Sequence, residues 1–433
     1  MTVPDLSNYE FEIFKKFSSH EAMPLAEQWL NRLIGLPEIR YGAVTGELRR
    51  GKYSIEHIDI VLAADNLEEA QTSIKDAIYP TFVQEENATH LSLLLHSGIK
   101  LVVWLAEPKD YIGQLLRTTG SDNHLARLSQ AALKKGYQLF ESNENTSIFL
   151  QKVEKEEEIY RKLNLPWIPP ELRESGDEVD FPERYHLNEL VSPADIQSDL
   201  HVHSTWSDGK NSIAEMAEAG IQRGLSFISI CDHSPFLLSK YQDASYFYEQ
   251  AEEITRVNQD LAGQFTVLRG VEVDIMPDGT LDLPVELLEK MDLVVASMHV
   301  QLDQPREIAT ARLIRAIENP YVNIIGHPGG RIYPMLDVID LDWERVYRAA
   351  SFNQVALEIN SHKSHPIFDD KKARAAADMG VYIALNSDSH NSGMMANSRF
   401  GIALARRADL KSDQVINTWS IGHLKLWLHQ KRA

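Results

Sequence analysis

The chain has 433 residues, with 63 acidic against 43 basic side chains and a formal net charge of −20. At roughly 150 residues per domain this predicts two or three domains, and the negative balance argues against wrapping a long duplex, whose unspecific affinity comes from neutralised phosphates. The single cysteine, Cys231, excludes a disulfide framework and a thiolate zinc site; with no apolar run near the ~20 residues of a membrane span and no signal-peptide core, a cytoplasmic protein that stays out of the membrane is expected.

Apolar residues recur at helical spacing over 24–34 and again over 66–77. Between and after these patterns, IDIVLA (58–63) and LVVWL (101–105) read as strands, and a long helical pattern runs over 114–138. Together they predict a mixed α+β unit over 1–175. The stretch 151–195 is acidic and carries Pro166, Pro169, Pro170, Pro182 and Pro193. It predicts a short helix over 154–163 and then a proline-stiffened connector, with the linker proper at 176–195.

The second unit, 196–433, changes rhythm. Short apolar runs start at Ser198 (SDLHVHS), Phe227 (FISICDH), Thr266 (TVLRGVEVD), Leu293 (LVVASMH), Val322 (VNIIGHP), Ala356 (ALEIN) and Val381 (VYIALNSDSH). Helical patterns lie between most of them, at 212–222, 245–261, 307–317 and 370–379. Strands alternating with helices predict parallel βα units, and seven in succession predict a barrel. In such a barrel the C-terminal strand ends form the catalytic face.

Nine residues stand at or just beyond those ends: His201, His203, Asp208, His233, Glu272, His299, His327, Asp388 and His390. The pairs 201/203 and 388/390 are two apart, so in extended backbone both members point to one side. Imidazoles with a few carboxylates suit Mn, Zn or Fe. Nine donors exceed the set that one catalytic ion takes, so two to three divalent ions are expected, with Glu272 able to bridge. A lone strand histidine is ordinarily a packing residue, but independent core histidines would not choose the same strand end each time. His362 and His365, just past ALEIN, are candidate substrate contacts at the mouth; His20, His90, His96, His186, His423 and His429 read as surface or packing residues.

DLHVHSTWSDG (199–209), CDHS (231–234), GVEVD (270–274), SMH (297–299), GHPGGR (326–331), LEIN (357–360) and SDSH (387–390) resemble the successive motifs of the PHP (polymerase and histidinol phosphatase) superfamily. The resemblance implies a distorted (β/α)₇ barrel, a trinuclear centre and phosphoester hydrolysis. It implies one ion on His201, His203, Glu272 and Asp388, a second on Glu272, His299 and His327, and a third on Asp208, His233 and His390. Catalysis would then run through ions held by Asp208, Glu272 and Asp388, which activate water for attack on phosphorus. Arg331 would contact a substrate phosphate through its planar fork, a surface ion pair being the alternative. Cys231 is expected to be a buried small residue.

GELRRGKYSIEHIDIVLA (46–63), RTTGSDNHLARLSQAALKKGYQL (117–139) and EEEIYRKLNLPWIPPELRE (156–174) resemble the palm, thumb and connector of bacterial X-family DNA polymerases fused to a PHP domain. That implies a nucleotidyltransferase-like palm/thumb unit ahead of the barrel. Three aspartates would hold the polymerase magnesium ions; here the first falls on His57, the second is Asp59 and the third falls on Lys100, while Glu47 replaces a serine. The stretch before residue 24 is too short for the helix-hairpin-helix domain that grips gapped DNA. Polymerase activity is therefore expected to be lost. Arg49, Arg50 and Lys52 form a basic cluster that either touches nucleic-acid phosphates or is a solvated turn. The expected activity is 3′–5′ exonuclease action on DNA, with hydrolysis of a small phosphomonoester as runner-up. A non-catalytic regulatory subunit is the remaining alternative, and the first unit is left as a scaffold or protein-partner surface.

Overall fold

The structure, a computed structural model, describes residues 16–140, 153–237, 245–331, 337–363 and 368–432, with the backbone alone at 331, 337 and 432. Two compact units, Met1–Leu187 and Asn188–Ala433, each have their own apolar core.

In the first unit a five-stranded sheet has the order β1 (Ile39–Thr45), β2 (Ile58–Ala64), β5 (Lys100–Ala106), β4 (His90–Leu94), β3 (Phe82–Glu86). Alternation along β2 splits its side chains between two layers. Ile58, Ile60 and Leu62 meet α1 (Ser19–Ile34) and α2 (Leu67–Ile78), whereas Val61 and Ala63 meet α3 (Tyr111–Thr119). The helical pattern expected over 114–138 is two helices, α3 and α4 (Asp122–Leu133). Gly120 ends the first and Ser121 caps the second by accepting from His124 N at 3.2 Å. Strands β1, β3 and β4 were not foreseen; β3 is a largely exposed edge without apolar alternation.

The connector folds back onto this unit through charge. Glu156, in α5 (Glu156–Lys162), is buried and receives two guanidinium groups. Arg49 reaches it at 2.6 and 3.1 Å, and the fully buried Arg173 at 2.6 and 3.3 Å. Arg50 donates to Glu174 at 2.8 Å and to Thr119 O at 2.7 Å, and Lys52 to Glu47 at 2.9 Å. The basic cluster is thus neither a solvated turn nor a row of unengaged cations. Its charges tie the short helix and turn at 46–52, helix α3 and the connector together.

The second unit is a seven-stranded parallel sheet in sequential order: β6 (Ser198–Val202), β7 (Phe227–Ile230), β8 (Thr266–Asp274), β9 (Leu293–Ser297), β10 (Ile324–Ile325), β11 (Ala356–Asn360) and β12 (Ile383–Asn386). All seven expected runs carry strand, although VNIIGHP supplies only two residues of it. A parallel bridge from Val202 to Ser389 draws first and last strands together, and His203 N donates across that seam to Ser389 O at 2.9 Å. The result is a nearly closed, distorted barrel. Helices cover it, for example α6 (Ile213–Gln222), where Ser212 and Glu215 form a capping box and Ile213, Met216, Ala217 and Gly220 make the buried stripe. No helix among the described residues is long and apolar enough to cross a membrane.

Candidate metal centre

The barrel's strand order brings the C-terminal ends of β6 to β12 to one mouth, and the nine strand-end residues meet there. Glu272, near the end of β8, faces five imidazoles. Its Oε2 lies 2.8 Å from His233, 3.4 Å from His201 and 3.6 Å from His203; its Oε1 lies 3.0 Å from His327 and 3.4 Å from His299. Asp388 Oδ1 is 3.0 Å from His203 Nε2, and Asp208 Oδ2 is 3.2 Å from His390 Nε2. His201 and His203 are fully buried, while Asp208 stands half-exposed at the rim.

Three sets of donor atoms lie close enough to share an ion: His201, His203 and Asp388; His203, Asp208, His233 and His390; and His233, Glu272 and His299. The sequence-based grouping differs in detail. His203 joins the Asp208 set as well, Glu272 is absent from the His201, His203 and Asp388 set and shares one only with His233 and His299, and His327 stands beside the carboxylate rather than within a set.

The donors suit cations. His201 Nε2, both nitrogens of His203 and His233 Nδ1 are buried without a hydrogen-bond partner, although carboxylate oxygens lie close by. Buried polar atoms are ordinarily satisfied; here they aim at shared points instead of at one another. Burial opposes ionisation of Glu272, but His233, His201 and His299 hold its carboxyl well below the ordinary range. Burial likewise lowers the His299 imidazole, yet Glu272 and Asp274 overrule it and bring it up to about 10. Protons and metal ions would compete for these nitrogens. Two of the nine, His327 (φ +28°) and Asp388 (φ +50°), hold left-handed backbone, the kind of strain that surrounding structure must enforce.

That enforcement comes from residues the sequence reading missed. Glu358, fully buried on β11, places Oε1 2.8 Å from His201 Nδ1, and its Oε2 accepts from His327 N at 2.7 Å. Asn386 and Asn360 donate to the same carboxylate at 2.8 and 2.9 Å. Asp274 lies 2.9 Å from His299 Nδ1. Asp232 accepts from Ser204 N at 2.8 Å, Ser204 Oγ at 2.6 Å and Gln250 at 2.6 Å, and also from Ser207, so it holds the loop that carries Asp208. Such outer carboxylates fix imidazole tautomers and orientation. Asp274 had a signal, since it lies two residues from Glu272 in a strand and so on its side. Glu358 had a weaker one, a carboxylate inside the apolar strand that carries the LEIN motif.

A cavity of about 670 Å³ opens over the cluster, lined also by Lys210, Leu237, Met298, Leu302, His362 and Met394. His362 therefore stands at the mouth as expected; His365 and the Arg331 side chain lie outside the described residues. Cys231 is buried, bonds Leu200 O and Ser229, and has its thiol pushed up to about 12 by burial. His90 stacks on Trp104 and His423 on Trp419, as packing residues do.

In the first unit, Asp59 pairs with Val102 across parallel strands, so Lys100 and Trp104 share its face. Its Oδ1 accepts from Trp104 Nε1 at 3.0 Å and its Oδ2 faces His57 Nε2 at 3.1 Å. The hydrogen bond to Asp59 raises the His57 imidazole. Gly46 (φ +64°) packs its backbone against the same carboxylate, where a Cβ would collide with Oδ2.

Known proteins share both halves. The DNA polymerase beta thumb family matches residues 114–174 and the PHP domain family residues 199–378. The chain is 32% identical over 420 residues to the DNA polymerase/3′-5′ exonuclease PolX of Bacillus subtilis, covering 96% of this chain and 73% of that protein. A probable phosphatase of Thermoanaerobacter sp. is 35% identical over 246 residues, covering 54% of this chain and 95% of its own length. The probable phosphatase YcdX of Escherichia coli O81 is 29% identical over 229 residues, covering 51% and 89%.

Proposed function

The chain belongs to the PolX family, which joins an X-family polymerase unit to a PHP domain, and from that premise we propose a 3′–5′ exonuclease of DNA whose polymerase centre is lost. It is a metal-dependent phosphoesterase, a hydrolase of ester bonds. The observation that carries the reading is the set of buried, partnerless imidazole nitrogens gathered around Glu272 beneath one cavity.

His201, His203, Asp208, His233, Glu272, His299, His327, Asp388 and His390 would hold two to three divalent ions, of Mn, Zn or Fe; Glu272 belongs to one donor set, but its Oε2 also faces imidazoles of the other two. When bound, such ions supply a nucleophilic water at neutral pH and relieve the charge that builds on phosphorus oxygens. The chain's own part is placement. Glu358 and Asp274 occupy the far nitrogens of His201 and His299, so each ring presents Nε2 to the centre. Asp232 steadies the Asp208 loop, and the cavity above the cluster is where a strand end would enter.

Loss of polymerase activity rests on the state of Asp59. Both of its oxygens already face protein donors, and Lys100 sets a cation on its face where a third carboxylate would be needed. Arg49, Arg50 and Lys52 are committed to Glu156, Glu174 and Glu47. The first unit would then serve as a scaffold or partner surface.

The test is 5′-labelled single-stranded DNA and, in parallel, p-nitrophenyl phosphate, each with Mn²⁺ or Zn²⁺ and with Asp388→Ala as control. A ladder shortening from the 3′ end, absent in the variant, is expected, together with no primer extension when nucleotides are added. Intact DNA with released nitrophenol would instead make the chain a phosphomonoesterase.

A further inference from the structure

Lys210 follows Asp208 by two residues and lines the cavity above the cluster. Among the described residues it is the only lysine or arginine in that lining, and no ion pair or side-chain hydrogen bond engages its ammonium. The rest of the wall is imidazole, carboxylate, Gly330, the Asn391 amide and apolar surface from Leu237, Met298, Leu302 and Met394.

The loop beneath it is fastened on both sides. Gly209 N donates to Ser204 O at 3.0 Å, and Lys210 N donates to His390 O at 2.8 Å. Ser392 N donates to Asn211 Oδ1 at 3.1 Å, joining the next residue to the same neighbouring loop. A Cβ at position 209 would stand 2.7 Å from Ser204 O, so the turn requires glycine. The backbone is fixed while the side chain is exposed and unengaged. A cation held this way, in a chain of net charge −20, has a clear electrostatic use.

We propose that Lys210 is a substrate-positioning residue whose ammonium pairs with a backbone phosphate of the strand that enters the cavity. An ammonium is a point charge on a flexible stem, which suits a phosphate met in any base sequence. The strand itself is taken from the exonuclease reading; the phosphate contact is not.

The experiment uses the full chain, wild type, Lys210→Met and Lys210→Arg. Binding of a short fluorescent oligothymidylate is read by anisotropy without added metal, over a range of salt concentrations. Lys210→Met should bind roughly tenfold more weakly, the worth of one charged hydrogen bond. Its plot of log affinity against log salt should be shallower by about 0.7, the value for one single-strand phosphate contact. Lys210→Arg should restore the slope, and the Mn²⁺ content of all three proteins should be equal. Unchanged affinity and slope in Lys210→Met, or loss of its metal, would overturn the proposal. If the wild type binds no oligonucleotide but hydrolyses p-nitrophenyl phosphate, DNA is the wrong substrate and Lys210 is judged on that ester. A KM roughly tenfold higher in Lys210→Met then upholds the contact, and an equal KM rejects it. Neither binding nor hydrolysis by the wild type would reject both readings.

Discussion

Glu358 supplies no atom to any of the three donor sets, yet it touches two of the nine residues at once. One oxygen fixes the His201 ring and the other holds the backbone of His327 in its left-handed conformation. Glu358→Gln would turn an NH₂ towards groups that need an acceptor, so the ring and the loop should both loosen. Mn²⁺ affinity, followed by isothermal titration, should fall about 10- to 100-fold; an unchanged affinity would show that the carboxylate is only a packing residue. The contrast with the nine explains what a sequence can reveal at this scale. The nine stand at or just beyond the ends of apolar runs, and repetition at one topological position sets them apart. Glu358 is marked locally only as a lone carboxylate in an apolar strand; its role depends on what reaches it from β6, β12 and the His327 loop, a tertiary fact.

Elements were readable where local chemistry and burial agreed. Helix α6 shows both, in its capping box and its apolar stripe. The break between α3 and α4 was also written locally, in Gly120 and the cap residue Ser121, but continuous apolar spacing masked it. The short helix expected over 154–163 is present as α5, but nothing in its sequence showed that it carries a carboxylate that two arginines bury. Burial would raise Glu156, but Arg173 and Arg49 hold it at about 2, against an ordinary 4.5. A carboxyl lowered on folding stabilises above its unfolded value and loses that contribution as pH falls through the folded one. The first unit should therefore lose about 3 kcal/mol as pH drops from about 4.5 to about 2. Urea unfolding of the wild type and Glu156→Gln across that range should show a steep decline in the first and a flatter one in the second. Parallel curves would remove the pair from the stability of this unit.

Across the whole molecule, two clusters of the same residue types end in opposite states. Around Asp59 the donors and acceptors satisfy one another, whereas around Glu272 buried nitrogens are left without partners. The contrast matches what the sequence led one to expect: substituted aspartates in one unit, and nine candidate ligands at successive strand ends in the other. The sequence did not show that the arginines beside Asp59 would be drawn into the connector, because their partners lie over 100 residues away in sequence. The net charge of −20 weighs against a nucleic-acid substrate, and cations held by the donor sets at the barrel mouth would offset it locally. The most direct measurement is a titration of metal-stripped protein with Mn²⁺, counting bound ions while 3′ trimming of labelled single-stranded DNA is followed in the same samples. Two to three ions per chain should bind, with trimming appearing only once more than one is in place. Full trimming with a single bound ion, or saturation of the centre without any trimming, would contradict the reading.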